Sequence, residues 1–256
     1  MKLPFKLLGM ALLPITAVSG ATGEAPVDSN INPVVISKLV ETGDYLRSLT
    51  RFQVDADITQ DLVLDNGQKV KIHGKTSMKV NHLQQISSSI ESDRLNRKFY
   101  YDGKSITQYA PKQGYFATVP ASNNVYDALH QLESEYGLQV PLEDLFQLGR
   151  DAKQLDKLTV AAYVGPTQIN GQLCDHMAFR QEGVDWQLWL SRSKPALPCK
   201  LSIVSTDEAA QPEYVVEYHW KMKPTFKESD FKFKPGKHDQ AIPLKKVGEQ
   251  GEKNEQ

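Results

Sequence analysis

The spacing of hydrophobic positions changes along the chain, and the changes divide it into elements. Val35, Leu39, Val40, Leu46 and Leu49 recur near helical spacing. Asn32 can cap and Pro33 suits a first helical position, so one amphipathic helix is predicted over about 33–49, weakened in its middle by Gly43. From Phe52 the period is two: Phe52, Val54, Ala56 and Ile58 alternate with Gln53, Asp55, Asp57 and Thr59. Asp65-Asn66-Gly67 is a hairpin turn, because Asn and Gly tolerate positive φ. The return strand places Val70, Ile72, Thr76, Met78 and Val80 on one side, and Lys69, Lys71, His73, Lys75 and Lys79 on the other. The lysine row reads as a solvated face, since both signs of charge occur on neighbouring strands. Four short strands follow at about 84–91, 97–101, 105–109 and 115–119, separated by turns at 102–104 and 111–114.

Residues 122–149 break the alternation. Val125, Leu129, Leu132 and Tyr136 fit a helix that Gly137 ends. A second short helix is predicted from Pro141, carrying Leu142, Leu145, Phe146 and Leu148. A second set of strands runs from about 158 to 220, with turns at Asn170-Gly171 and Glu182-Gly183-Val184.

The order is helix, strands, helical insertion, strands, with hairpin connections. The economical architecture is α+β and mostly antiparallel: one strongly curved sheet with helices packed on, or lidding, its concave face. The inward candidates are Phe52, Val54, Ile58, Ile72, Met78, Ile86, Ile90, Trp186, Leu188, Tyr214, Val216, Tyr218 and Trp220. The helices add Val125, Leu129, Leu132, Leu142, Leu145 and Phe146 to the same space. Periodicity leaves two outcomes open, a filled core or a lipid-sized cavity.

The first 21 residues change where function is sought. Lys2 and Lys6 precede a short apolar run at 7–18, and Ser19-Gly20-Ala21 supplies small residues, the pattern of a cleaved secretory signal peptide. The run is short and interrupted by Pro14, so no permanent membrane anchor is expected. About 235 residues remain: a flexible lead-in at 22–30, one domain over 31–247, and a polar, disordered tail at 248–256. Lys plus Arg is 30 and Asp plus Glu is 31, and nucleic-acid motifs are absent, so no nucleic-acid partner is expected. An exported chain with two cysteines, Cys174 and Cys199, predicts one disulfide. A turn centred on Gly183 puts Cys174 opposite about Arg192, so the bond has to pass the end of the middle strand.

Candidate chemistry is sparse. The chain contains no G-x-S-x-G, H-E-x-x-H, phosphate-binding glycine loop or C-x-x-C. His73, His82, His130, His176, His219 and His238 are scattered, without metal-ligand spacing. Cys174-Asp175-His176 lacks an orienting group for a thiol nucleophile, and export favours oxidation. Asp55 and Asp57 share a strand face and read as solvated. Neither enzyme activity, nor a metal, nor a cofactor is expected. Trp186 and Trp189 are three apart in a strand and point to opposite faces, leaving Trp189 between a structural role and a partner contact.

Several stretches together resemble the predicted periplasmic proteins grouped as domain of unknown function 2092 (DUF2092). They are 171–180, 185–189, 198–201, Leu64-Asp65-Asn66-Gly67-Gln68, Tyr100-Tyr101-Asp102-Gly103-Lys104, Tyr136-Gly137 with Pro141-Leu142, and Phe231-Lys232-Phe233-Lys234-Pro235. That family is similar in fold to the LolA/LolB lipoprotein-localisation superfamily. The resemblance implies an unclosed β-barrel with a helical lid over an apolar cavity, in the periplasm. It implies a carrier of a lipid or of a lipoprotein's acyl chain; a non-catalytic monomer is expected. The ligand positions it suggests are Phe52, Val54, Ile72, Met78, Ile86, Ile90, Val125, Leu129, Leu132, Leu142, Leu145, Phe146, Trp186, Leu188 and Tyr218. The alternative is an envelope protein-interaction scaffold with a filled core, its partner surface formed around Trp189, Tyr109 and Tyr115.

Overall fold

The computed structural model describes residues 30–150 and 155–248. The signal-peptide segment and all of the tail beyond Gly248 lie outside the described residues.

Helix α1 (Pro33–Ser48) starts where Asn32 caps it: the Asn32 carboxamide oxygen accepts from the Val34 N–H at 2.9 Å, and Pro33 follows. It buries Val35, Leu39 and Leu46 on one face. Gly43 has a packing role. A Cβ there would lie 1.9 Å from the Leu148 carbonyl oxygen, so only glycine lets that segment rest against the helix. Arg47 Nη1 then donates to the same carbonyl at 2.7 Å.

Strands β1 (Arg51–Val63) and β2 (Lys69–Asn81) form a long hairpin around the Asn66-Gly67 turn. The meander continues through β3 (Gln85–Ser92), β4 (Asn96–Tyr101), β5 (Ser105–Ala110) and β6 (Tyr115–Pro120). Helix α2 (Val125–Tyr136) is capped by Asn124 and ends on Gly137 at φ 65°. Helix α3 is one turn only, Asp144–Gln147. The predicted start at Pro141 fails because Leu142 sits at φ 68°, a left-handed conformation that no helix continues through.

The second set comprises β7 (Val160–Ile169), β8 (Gln172–Gln181), β9 (Val184–Ser191), β10 (Pro198–Ser205) and β11 (Glu213–Met222). A two-residue strand, β12 (Gln240–Ala241), pairs parallel with β6. This is one departure from hairpin connections. The twelve strands form a single sheet in the order β12-β6-β5-β4-β3-β2-β1-β11-β10-β9-β8-β7. Both edges are free of each other, so the sheet is unclosed. The pairing of β1 with β11 fuses the two meanders.

Helices α1, α2 and α3 each contribute to the core on one face of the sheet, the inner face. On the outer face the predicted lysine row is exposed or half-buried and laced by ion pairs: Lys69 and Lys71 to Asp61, and Lys79 to Asp230. Residues 223–247 form a strap. Its Phe233 ring lies 4.9 Å from Tyr109 and 4.8 Å from Phe116, and Phe231 is buried. The sequence reading did not foresee the strap, because its apolar residues follow neither period.

The disulfide joins Cys174 and Cys199, with Cα atoms 6.8 Å apart. Cys174 faces Ser191, the last residue of β9, instead of Arg192. The loop is the two residues Glu182-Gly183, which moves the register by one. The bond passes the end of the middle strand as expected.

Candidate functional site

Cross-strand register sorts the inner face into rows. One row runs Ile86, Val80, Phe52; another runs Met78, Val54, Trp220; a third runs Thr76, Ala56, Tyr218. A fourth runs Ile58, Val216, Leu201, Leu188, Met177. These rows are buried nearly throughout, with Trp220 only half-buried. The helices supply the opposite wall. Val125, Leu129, Leu132, Leu142, Leu145 and Phe146 are all buried in the same cluster. Phe146 packs 6.4 Å from Phe52 and edge-on to Tyr126 at 6.1 Å.

The next row differs. Ile72, Gln60, Tyr214, Ile203 and Trp186 follow one another across β2, β1, β11, β10 and β9. Each is half-buried. Beyond it Leu62 and Val70 face each other, again half-buried. The row ends at Phe179, on which the Trp186 ring stacks at 3.8 Å. Phe52, Val54, Met78, Ile86, Leu188 and Tyr218 are therefore packed core, whereas Ile72, Ile90 and Trp186 keep accessible surface.

Two carboxyls stand at the start of α3. Asp144 is exposed to solvent, yet desolvation by surrounding protein pushes its pKa up to about 6, helped by the charge of Glu133. Its charge in turn raises the Tyr214 and Tyr218 phenols further, after burial itself. Glu143 is half-buried, and its carboxyl accepts from the Val140 N–H at 3.2 Å. Burial first, then Asp144, pushes its pKa up to about 8. The sequence reading passed over this pair, since two acids at a helix start are ordinary and only tertiary burial sets them apart.

A third acid anchors the helices. Asp175 is buried on the inner face and accepts from Lys38 of α1 at 2.6 Å, Arg192 at 2.7 Å and the Tyr163 hydroxyl at 2.9 Å. Desolvation opposes ionisation, but these bonds outweigh it and hold the pKa down at about 2.

The remaining candidates are structural in this arrangement. His176 points to the outer face, stacks on Trp189 at 4.1 Å and bonds Gln187 at 2.8 Å. Trp189 is buried beside the disulfide, with Lys200 over its ring at 5.5 Å. Tyr109 lies under the strap, bonded to Asp239. The aromatic partner surface expected around Trp189, Tyr109 and Tyr115 is thereby reduced to Tyr115, which alone of the three is exposed. The disulfide cluster and the strap cover the other two. Asp55 and Asp57 go to separate partners, Lys221 and His219. Among the described residues no three His, Cys, Asp or Glu side chains gather as a metal site.

Residues 36–245 match the family described as predicted periplasmic protein (DUF2092). The chain belongs to the DUF2092 family. No helix among the described residues of this DUF2092 protein is long and apolar enough to cross a membrane. None of the curated proteins matches it. Three solved structures are similar at low identity. Lipoprotein LppX of Mycobacterium tuberculosis is 12% identical, with 76% of this chain and 98% of that one covered and a TM-score of 0.49. LprF of Mycobacterium bovis is 12% identical, covering 76% and 96%, at 0.42. The MucA/MucB complex of Pseudomonas aeruginosa gives 14% identity over 82% of this chain and 63% of the other, at 0.45.

Proposed function

We propose that this DUF2092 protein binds one amphiphilic molecule, a lipid or a lipoprotein acyl chain, at the open row and carries it through the periplasm without catalysis. The observation that carries the reading is the row itself. Ile72, Ile203, Tyr214 and Trp186 point to the inner face and remain half-exposed. Each CH₂ of a hydrocarbon chain removed from water there contributes about 0.8 kcal/mol, so a short stretch of tail is enough for retention without an energy source. The export pattern of residues 1–21 supports delivery to the periplasm.

The test is native mass spectrometry of delipidated mature protein after incubation with membrane extract. A retained lipid or lipopeptide is expected, and it is expected to be lost in Ile72→Asp. Absence of any retained mass under all conditions would end the carrier reading.

A protein-interaction scaffold with a filled core is the second reading. It is favoured by the close packing of the insertion, with Phe146 buried against Phe52 and the Leu148 carbonyl seated on Gly43. On that reading Ile72→Asp changes no retained mass, and affinity capture returns a stoichiometric protein partner with no lipid.

A further inference from the structure

On the outer face, strand register sets two polar rows side by side. Lys79, Ser87 and Tyr100 face one another across β2, β3 and β4, and so do Ser77, Ser89 and Lys98. The strap reaches the first row: Lys79 Nζ lies 3.2 Å from an Asp230 carboxyl oxygen, and Phe233 packs 5.8 Å from the Tyr100 ring. Sheet and strap leave a pocket of about 260 Å³ between them, to which the strap contributes Ser229 and Asp230.

The pocket is rich in hydrogen-bond donors that have no partner. The Ser77 hydroxyl is committed to Asp55 at 2.6 Å. The hydroxyls of Ser87, Ser89, Ser229 and Tyr100, and the Lys98 ammonium, bond to none of the described residues. Burial raises the Tyr100 phenol above its ordinary value, so it remains a donor at neutral pH. The nearby carboxylates are matched. Asp230 takes Lys79 on one oxygen and the Lys227 N–H on the other, and Asp55 takes Lys221. The lining holds two ammoniums and one carboxylate, which leaves Lys98 as its uncompensated charge.

This arrangement selects a ligand by charge and by shape. One surplus ammonium among free hydroxyls suits a compact anion with several acceptor oxygens. The donors come from β3, β4 and the strap, so they approach from several directions and match a tetrahedral oxyanion better than a flat carboxylate. Two lysines disfavour a metal cation. The polar lining offers a hydrocarbon chain no gain on leaving water, and the volume is below the usual range for a drug-sized ligand.

We propose that this pocket binds a single phosphate group, with Lys98 as its charge partner and Ser87, Ser89 and Ser229 as hydrogen-bond donors. The site does not depend on the carrier reading, because it lies on the opposite face of the sheet from the open row.

The test titrates isotope-labelled mature protein, exchanged into buffer free of phosphate and sulfate, with inorganic phosphate at constant ionic strength. Saturable NMR shifts of the Ser87, Ser89, Lys98 and Ser229 amides are expected, read on the unsubstituted protein. Lys98→Ala is expected to weaken binding about tenfold, the loss of one charge-assisted contact. Lys75→Ala removes the same charge from the same face outside the pocket and is expected to leave binding unchanged. Cosedimentation with phosphatidylglycerol vesicles separates the sources of the group. Cosedimentation that phosphate displaces and Lys98→Ala abolishes supports the site with a lipid headgroup as its source. Phosphate binding without cosedimentation supports it with a soluble ion or ester. Equal weakening by Lys98→Ala and Lys75→Ala overturns the site in favour of diffuse surface charge. Absence of both the pocket shifts and Lys98-dependent cosedimentation overturns it outright.

Discussion

The inner face holds two regions built on the same strands from the same residue types. Under the helices, Ile58, Val216, Leu201, Leu188 and Met177 form a row that is buried from end to end. One residue pair further along, Ile72, Tyr214, Ile203 and Trp186 form a row that is half-exposed. The strands do not differ. The degree of burial does, although α1, α2 and α3 all place apolar residues in the one core cluster. A strand's alternation reports only which face a side chain takes, and not how deeply that side chain is buried.

Charge placed in each region is the strongest way to break this comparison. Leu129→Asp or Phe146→Asp puts an unpaired carboxylate into packed core and is expected to cost at least about 4 kcal/mol, read as a collapse of the melting temperature. Ile72→Asp is expected to cost about 1 kcal/mol or less, because its side chain already meets water. The order is expected to reverse for retention of lipid per folded molecule. Equal thermal losses at Ile72 and Leu129 would show that both regions are packed alike and would remove the open row as a site.

The disulfide comes next. It closes a loop across a separation of 25 residues, so replacing both cysteines with Ala is expected to cost about 3 kcal/mol in the chain-entropy picture. The bond lies on the outer face with Trp189, so lipid retention at the open row is expected to survive. Thiol labelling of unreduced, denatured protein is expected to find no free thiol, and denaturant titration gives the stability loss.

Asp175 sharpens the comparison from the helix side, because Lys38 ties α1 to β8 through it. Its folded pKa of about 2 lies below the ordinary carboxylate value, so the unfolded chain takes up the proton first as pH falls. The stabilisation is present in full above about pH 4 and is lost as pH drops toward 2. Its size is roughly 2 kcal/mol. Asp175→Asn is expected to lower the midpoint of urea unfolding at pH 7 and to leave it nearly unchanged near pH 2. A pH-independent loss would assign the residue a packing role only.

Much of this was legible in the chain. Alternation and the Asn-Gly and Gly183 turns located the strands, and the cysteine pair fell at the end of β9 as the register required. Trp186 and Trp189 do take opposite faces. What the pattern missed is tertiary in origin. Gly43 looked like a weak point in a helix and is a contact, because Leu148 approaches from 105 residues away. Leu142 looked helical and is left-handed, a backbone choice that an ordinary leucine does not announce. The strap has no period to read. The distinction between packed core and open row was illegible for the same reason: Ile58 and Ile72 are identical in sequence terms.

Glu143 provides the smallest expected effect and the one that ties the acid pair to the insertion. Burial, with Asp144 adding to it, raises its pKa to about 8, above the ordinary value of 4.5. The folded state therefore holds a proton that the unfolded chain has already released between these values. The associated stability is complete below about pH 4.5 and declines as pH rises through about 8. Ionisation would set a second negative charge beside Asp144, and the half-buried side chain relieves part of that cost by turning toward water. Glu143→Gln keeps an acceptor for the Val140 N–H but cannot ionise. The variant is expected to match the parent near pH 5 and to melt a few degrees higher near pH 9, by roughly 1 kcal/mol. If ionisation loosens α3, the parent's lipid retention also changes across pH 7 to 9 while the variant's does not. Parallel stability curves from pH 5 to 9 would show that Glu143 is solvated like any surface acid, and that burial at the start of α3 does not hold its proton.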